Sequence, residues 1–98
     1  MYAVLFRAQI AKLDDEYHTM AKRMRELAMD EYGCLEFIAA IEGKTEIAIS
    51  YWEHEHQIKA WKENAEHLVA QSQGQSKWYK SYHVQITEVI REYGSGGV

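Results

Sequence analysis

The sequence predicts an α+β fold in which a four-stranded antiparallel sheet carries two helices on one face. Three observations lead there. Hydrophobic residues recur with a period of two in four segments and near 3.6 in two, in the order strand, helix, strand, strand, helix, strand. A Glu42-Gly43-Lys44-Thr45 turn joins the middle strands as a hairpin. Both sides of those strands are largely apolar, so both need cover.

The first strand covers residues 2 to 10, with Tyr2, Val4, Phe6, Ala8 and Ile10 against Ala3, Leu5, Arg7 and Gln9. From Leu13 the period lengthens, and Leu13, Tyr17, Met20, Met24, Leu27 and Ala28 form one helical stripe. Asp14 is placed to cap that helix, Asp15 and Glu16 suit its first turn, and Gly33 follows Tyr32 as a stop. Alternation returns from Cys34 to Ile41 and again from Glu46 to Trp52. The second helix begins near His54, carries Ile58, Trp61, Ala65, Leu68 and Val69 on its apolar stripe, and fades at Gln71-Ser72-Gln73-Gly74. A short helical piece is expected from Gln75 to Lys80. The last strand is Tyr82, Val84 and Ile86 against His83, Gln85 and Thr87, with a bulge or a change of neighbour at Glu88-Val89. Residues 1–93 thus make one domain, and 94–98 a flexible tail. The order is that of a ferredoxin-like split βαβ unit, whose helices cover one sheet face and leave the other bare. A symmetric copy of the same sheet is the simplest cover, so the chain is expected to form a homodimer, its last strand helping to bind the partner.

Composition narrows the function. A net charge of -4 over 98 residues is the reverse of what phosphate backbones select, which counts against nucleic-acid binding. Charges interrupt every apolar run well short of the roughly 20 residues a membrane span needs, and the N-terminus lacks a basic stretch ahead of an apolar one. No membrane association and a cytoplasmic location are expected. The single Cys34 has no partner for an internal disulfide and no activating neighbour, so it reads as a buried structural thiol. His54 and His56 are two apart, and on a helix they would diverge by about 200°, so no metal site is expected there. No phosphate loop, dinucleotide fingerprint or serine elbow occurs.

Aromatic residues make up 12% of the chain. Most serve core and interface in a domain of this size. On the second helix, however, Asn64, His67 and Gln71 form a polar strip beside Trp61, Ala65 and Leu68, which fits either a pocket wall or an ordinary solvent boundary.

Ile49-Ser50-Tyr51-Trp52-Glu53, Ile58, Trp61, Glu66-His67, Gly74, Trp78-Tyr79, Tyr82 and Val84 resemble the antibiotic biosynthesis monooxygenase (ABM) domain over nearly the whole chain. The resemblance implies a dimeric ferredoxin-like α+β barrel with a pocket between sheet and helices in each protomer. In the family's characterised enzymes it implies oxygenation of aromatic polyketides without a cofactor. A haem-degrading branch shares the fold, with an asparagine about where Phe6 stands and an axial histidine about where Gln71 stands, so both determinants are missing here. Of the polyketide oxygenases' polar residues only Trp61 carries over plainly. The functional expectation is a monooxygenase acting on a small aromatic or quinol-type substrate with no cofactor. His67 serves as base, since an imidazole is the side chain suited to proton exchange near neutrality. Trp61 forms an apolar wall, Asn64 holds a substrate oxygen, and Phe6 and Phe37 close the sheet side. A non-enzymatic small-molecule binder or stress-related accessory protein uses the same cavity equally well, and a haem-binding relative is the further alternative.

Overall fold

The computed structural model describes residues 1–71 and 78–96, with the side chains of 68–71 outside the description. Six elements follow in the expected order: β1 (Tyr2–Ile10), α1 (Asp15–Glu31), β2 (Glu36–Glu42), β3 (Thr45–Trp52), α2 (Glu55–Gln71) and β4 (Tyr79–Glu88). The strands pair antiparallel in the order β2-β3-β1-β4, the split arrangement that the pattern predicts. The expected fold class is therefore the observed one.

Local chemistry sets the boundaries. Asp14 caps α1, its carboxylate accepting the Tyr17 backbone N–H at 2.8 Å, and Asp15 and Glu16 occupy the first turn. Gly33 takes φ +84° after Tyr32, which lets the Cys34 N–H return to the Ala28 carbonyl at 2.9 Å. Gly43, with φ +61°, opens the two-residue loop between Glu42 and Thr45. β2 starts two residues later than the alternation suggests, because Cys34 and Leu35 still leave the helix.

Both helices pack on the sheet face that carries Val4 and Trp52. Their core joins Val4, Trp52 and Cys34 to Ala28 of α1 and Ile58 of α2, with Trp52 fully buried and its indole N–H on Ser50 Oγ at 2.9 Å. By register this face runs in rows across β2, β3, β1 and β4: Phe37-Ser50-Val4-Ile86, then Ala39-Ala48-Phe6-Val84, then Ile41-Glu46-Ala8-Tyr82. The other face carries Ile38-Ile49-Leu5-Gln85 and Ala40-Ile47-Arg7-His83. Its Ile38 and Ile47 are 49% and 45% exposed, so among the described residues nothing covers these positions of the apolar face expected to need a cover.

β4 corrects one expectation. The bulge lies at Lys80, not at Glu88-Val89: Gln9 pairs with Ser81 while Ile10 pairs with Tyr79. At the far end β4 stops at Glu88, and the Val89 N–H makes one further bond to the Met1 carbonyl. The strand also begins earlier than its alternation suggests, at Tyr79. Of the helical piece expected from Gln75 to Lys80, residues 75–77 lie outside the described residues, Trp78 is helical, and Tyr79 and Lys80 are strand. The expectations for Leu68, Val69 and Gln71 likewise concern side chains outside the description. Among the described residues no helix is long and apolar enough to cross a membrane.

Candidate functional site

The helix-covered face holds two aromatic groups separated by small residues. In the first, Trp61 of α2 lies 5.5 Å from Trp52 and 6.2 Å, edge-on, from Phe37. The Trp61 indole N–H is held by the Met24 carbonyl of α1 at 3.0 Å. The Arg25 guanidinium sits 5.2 Å over the Phe37 ring, a cation–π contact that closes the group from outside. Asn64, one turn along α2 from Trp61, donates its amide to the Tyr32 hydroxyl at 2.9 Å. Trp61, Phe37 and Asn64 thus stand together as the helical period and strand phase require. His67 follows Asn64 by three positions on the same side of α2 and is exposed to solvent.

Phe6 belongs to the second group. Its ring is 5.5 Å from Tyr79 and stacks on Tyr82 at 6.0 Å. Behind Tyr79 lies a feature that the sequence reading missed. Glu46, only 8% exposed, accepts the Tyr17 hydroxyl, and Tyr79 Oη lies 3.1 Å from the same carboxylate oxygen and 3.4 Å from Tyr17 Oη. Trp78 seals this end, edge-on to Tyr17 and donating its indole N–H to Asp14 at 3.2 Å. Burial, then the hydrogen bond to Glu46, pushes the Tyr17 phenol up to about 12. Burial raises Tyr79 further, assisted by its bond with Tyr17 and the Glu46 charge. Both phenols therefore stay protonated at neutral pH and act as fixed donors to the carboxylate. One sequence signal exists: Glu46 shares its strand phase with Ala48, Ser50 and Trp52, so it falls on the buried face.

Between the two groups, Ala39 and Ala48 form a floor in the row that also holds Phe6. Ala48 is buried, while Ala39 and Ile41 on the edge strand are exposed, so the floor is open along β2. Two open clefts, of about 320 and 390 Å³, fall away from this row. The smaller, lined by Arg7, Gln9, Thr45, Ser81 and His83, lies on the bare face; the larger, around Ala40, Glu42 and Ile47, lies at its β2 edge.

Cys34 is buried, donates to the Glu36 carbonyl at 3.2 Å, and has its thiol pushed up by burial, so its reactivity is low. The two histidines expected to diverge come together instead. His54 precedes the first turn of α2, outside the helical period, and its ring stacks on His56 at 5.3 Å. Among the described residues no group of three or more His, Cys, Asp or Glu is placed to hold a metal ion. All five histidines are exposed.

No protein-family model matches the chain. Over 93 residues it is 37% identical to the uncharacterized protein YqjZ of Bacillus subtilis, covering 93% of this chain and 81% of YqjZ. Among solved structures it is similar to SnoaB, a cofactor-independent oxygenase from Streptomyces nogalater, with a TM-score of 0.75 and 9% identity over 96% of this chain and 97% of SnoaB. It is also similar to a Nitrosomonas europaea protein assigned to the antibiotic biosynthesis monooxygenases, with a TM-score of 0.71 and 16% identity over 93% of this chain and all of the other. The chain therefore belongs to one family with YqjZ and has the ferredoxin-like fold of the antibiotic biosynthesis monooxygenase domain.

Proposed function

We propose that this protein is a monooxygenase that needs no cofactor and acts on a small aromatic or quinol-type substrate held between the sheet and α2. The observation that supports this reading is the aromatic cluster of Trp61, Phe37 and Trp52, with the Asn64 amide at its border, in a chain with the fold of SnoaB. An electron-rich phenol or quinol reacts with dioxygen once deprotonated, so the protein's task is to bind it, remove a proton and exclude water. Trp61 and Phe37 serve as walls at one end of the floor and Phe6 at the other. Asn64 turns from Tyr32 to a substrate oxygen, and His67 exchanges the proton with solvent at the rim. The working unit is a homodimer whose bare sheet faces meet.

The test is oxygen uptake by purified, metal-free protein with a panel of anthrone-like and quinol substrates. Turnover above the uncatalysed rate is expected, reduced about 10²-fold or more in His67→Ala. Turnover that the variant leaves unchanged removes His67 from the reaction. Binding without turnover by wild-type protein for every substrate selects the passive binder instead.

A further inference from the structure

The buried carboxylate Glu46 and its two tyrosines are used by none of the roles above. Glu46 is the next same-face residue before Ala48 on β3, so its carboxyl group stands roughly 7 Å along the strand from the centre of the floor. A ring resting on Ala39 and Ala48, against Phe6, reaches it.

The bulge at Lys80 makes this arrangement possible. Tyr79 and Tyr82 are three apart, and in an unbroken strand they would face opposite sides of the sheet. With Lys80 as the extra residue, both oppose residues of the helix-covered face, Ile10 and Ala8. Tyr79 is thereby aimed at Glu46, while its ring edge meets Phe6. Tyr82, 67% exposed and stacked on Phe6, extends the aromatic wall to solvent. The charged groups nearby are otherwise engaged: Asp14 holds the α1 backbone and Trp78, and Lys12 lies 3.8 Å from Asp14.

We infer that Glu46, reached through Tyr79, is a proton-accepting site for a hydroxyl group of a phenol or quinol lying on the Ala39–Ala48 floor. This rests on the monooxygenase reading for its substrate class. The transfer is balanced within three groups. The substrate O–H bond breaks and its proton bonds to Tyr79 Oη, while the Tyr79 proton passes to Glu46 Oε1. The negative charge moves from the carboxylate to the substrate oxygen, and nothing is oxidised or reduced. Once Glu46 is neutral, it no longer competes as an anion for the Tyr79 hydroxyl, which then donates to the new phenolate.

The probe is a hydroxyanthraquinone dye, already oxidised at the ring carbons and coloured by its ionisation state. Quenching of tryptophan emission reports its binding, and its visible band reports its charge. At a pH where the free dye is neutral, wild-type protein is expected to bind it as the red-shifted anion. Glu46→Gln, which keeps an acceptor oxygen but no base, and Tyr79→Phe are expected to bind it without the shift, with unchanged far-ultraviolet circular dichroism. A shift that survives in Glu46→Gln, a neutral bound dye in the wild type, or no binding at all overturns the inference. A normal shift without oxygen uptake defeats the oxygenase reading and leaves the proton site standing; oxygen uptake without the shift does the reverse.

Discussion

At Gly33 the φ of +84° fixes the residue type, while a Cβ there, 2.6 Å from Gln57 Nε2, would meet only the end of a flexible side chain. Gly33→Ala is expected to lower the unfolding free energy by about 1–2 kcal/mol, the ordinary cost of a left-handed side chain. A urea titration checks it, and a change of only a few tenths would mean that the backbone relaxes. Tyr17 makes a prediction about pH. Its folded value near 12 lies above the ordinary 10, so its contribution to stability is complete below pH 10 and lost as pH rises through about 12. Tyr17→Phe should flatten the fall in urea midpoint across that window; an unaltered slope would assign the alkaline loss to other groups. The same residues show what a sequence reveals. Trp61, Phe37 and Asn64 were legible because helical and strand periods alone place them together. Glu46 was not, because a carboxylate in a strand ordinarily marks the solvent side. Only the approach of Tyr17, 29 positions earlier, and Tyr79, 33 later, reverses that sense. His54 and His56 show the opposite error, since the helical angle was applied to a residue that lies before the helix.

Among the elements, α1 was readable to the residue because its cap, first turn and glycine stop are all local chemistry. β4 was not, because a bulge is a decision between two strands and leaves no mark on one of them alone. Deletion of Lys80 is expected to remove the bulge, set Tyr79 and Tyr82 two apart, and keep Tyr79 opposite Ile10 on the helix-covered face, within reach of Glu46. The Tyr79 phenol should then stay raised above its ordinary value, read by NMR of ring-labelled tyrosine against Tyr79→Phe for assignment. A Tyr79 that ionises near its ordinary value would show that the shortened strand shifts its register and carries Tyr79 away from Glu46.

For the molecule as a whole, the bare sheet face poses the remaining question. Its centre is the cross-strand row Ile38-Ile49-Leu5, flanked by Ala40 and Ile47 on one side and Tyr51 and Ala3 on the other, with Glu36 beside Tyr51 and Arg7 beside Ile47 at its margin. Arg7, Gln9 and His83 stand at one corner, which gives the patch the polar rim of an interface rather than of a core. A chain of 98 residues buries a modest share of its surface alone, so covering this face adds stability that one copy lacks. We expect a dimer mass by sedimentation equilibrium at micromolar concentration. Ile49→Lys places an ammonium at the centre of the patch on each copy, where a symmetric contact would set it unpaired in a dry interface. Each ~1.4 kcal/mol lost raises the dissociation constant tenfold, so this variant should sediment as a monomer. Its helices, which pack on the opposite face, should persist in the far-ultraviolet spectrum while its Tm falls. A wild-type monomer, or a variant that remains dimeric, would place the contact elsewhere, and the exposed isoleucines would then need another cover.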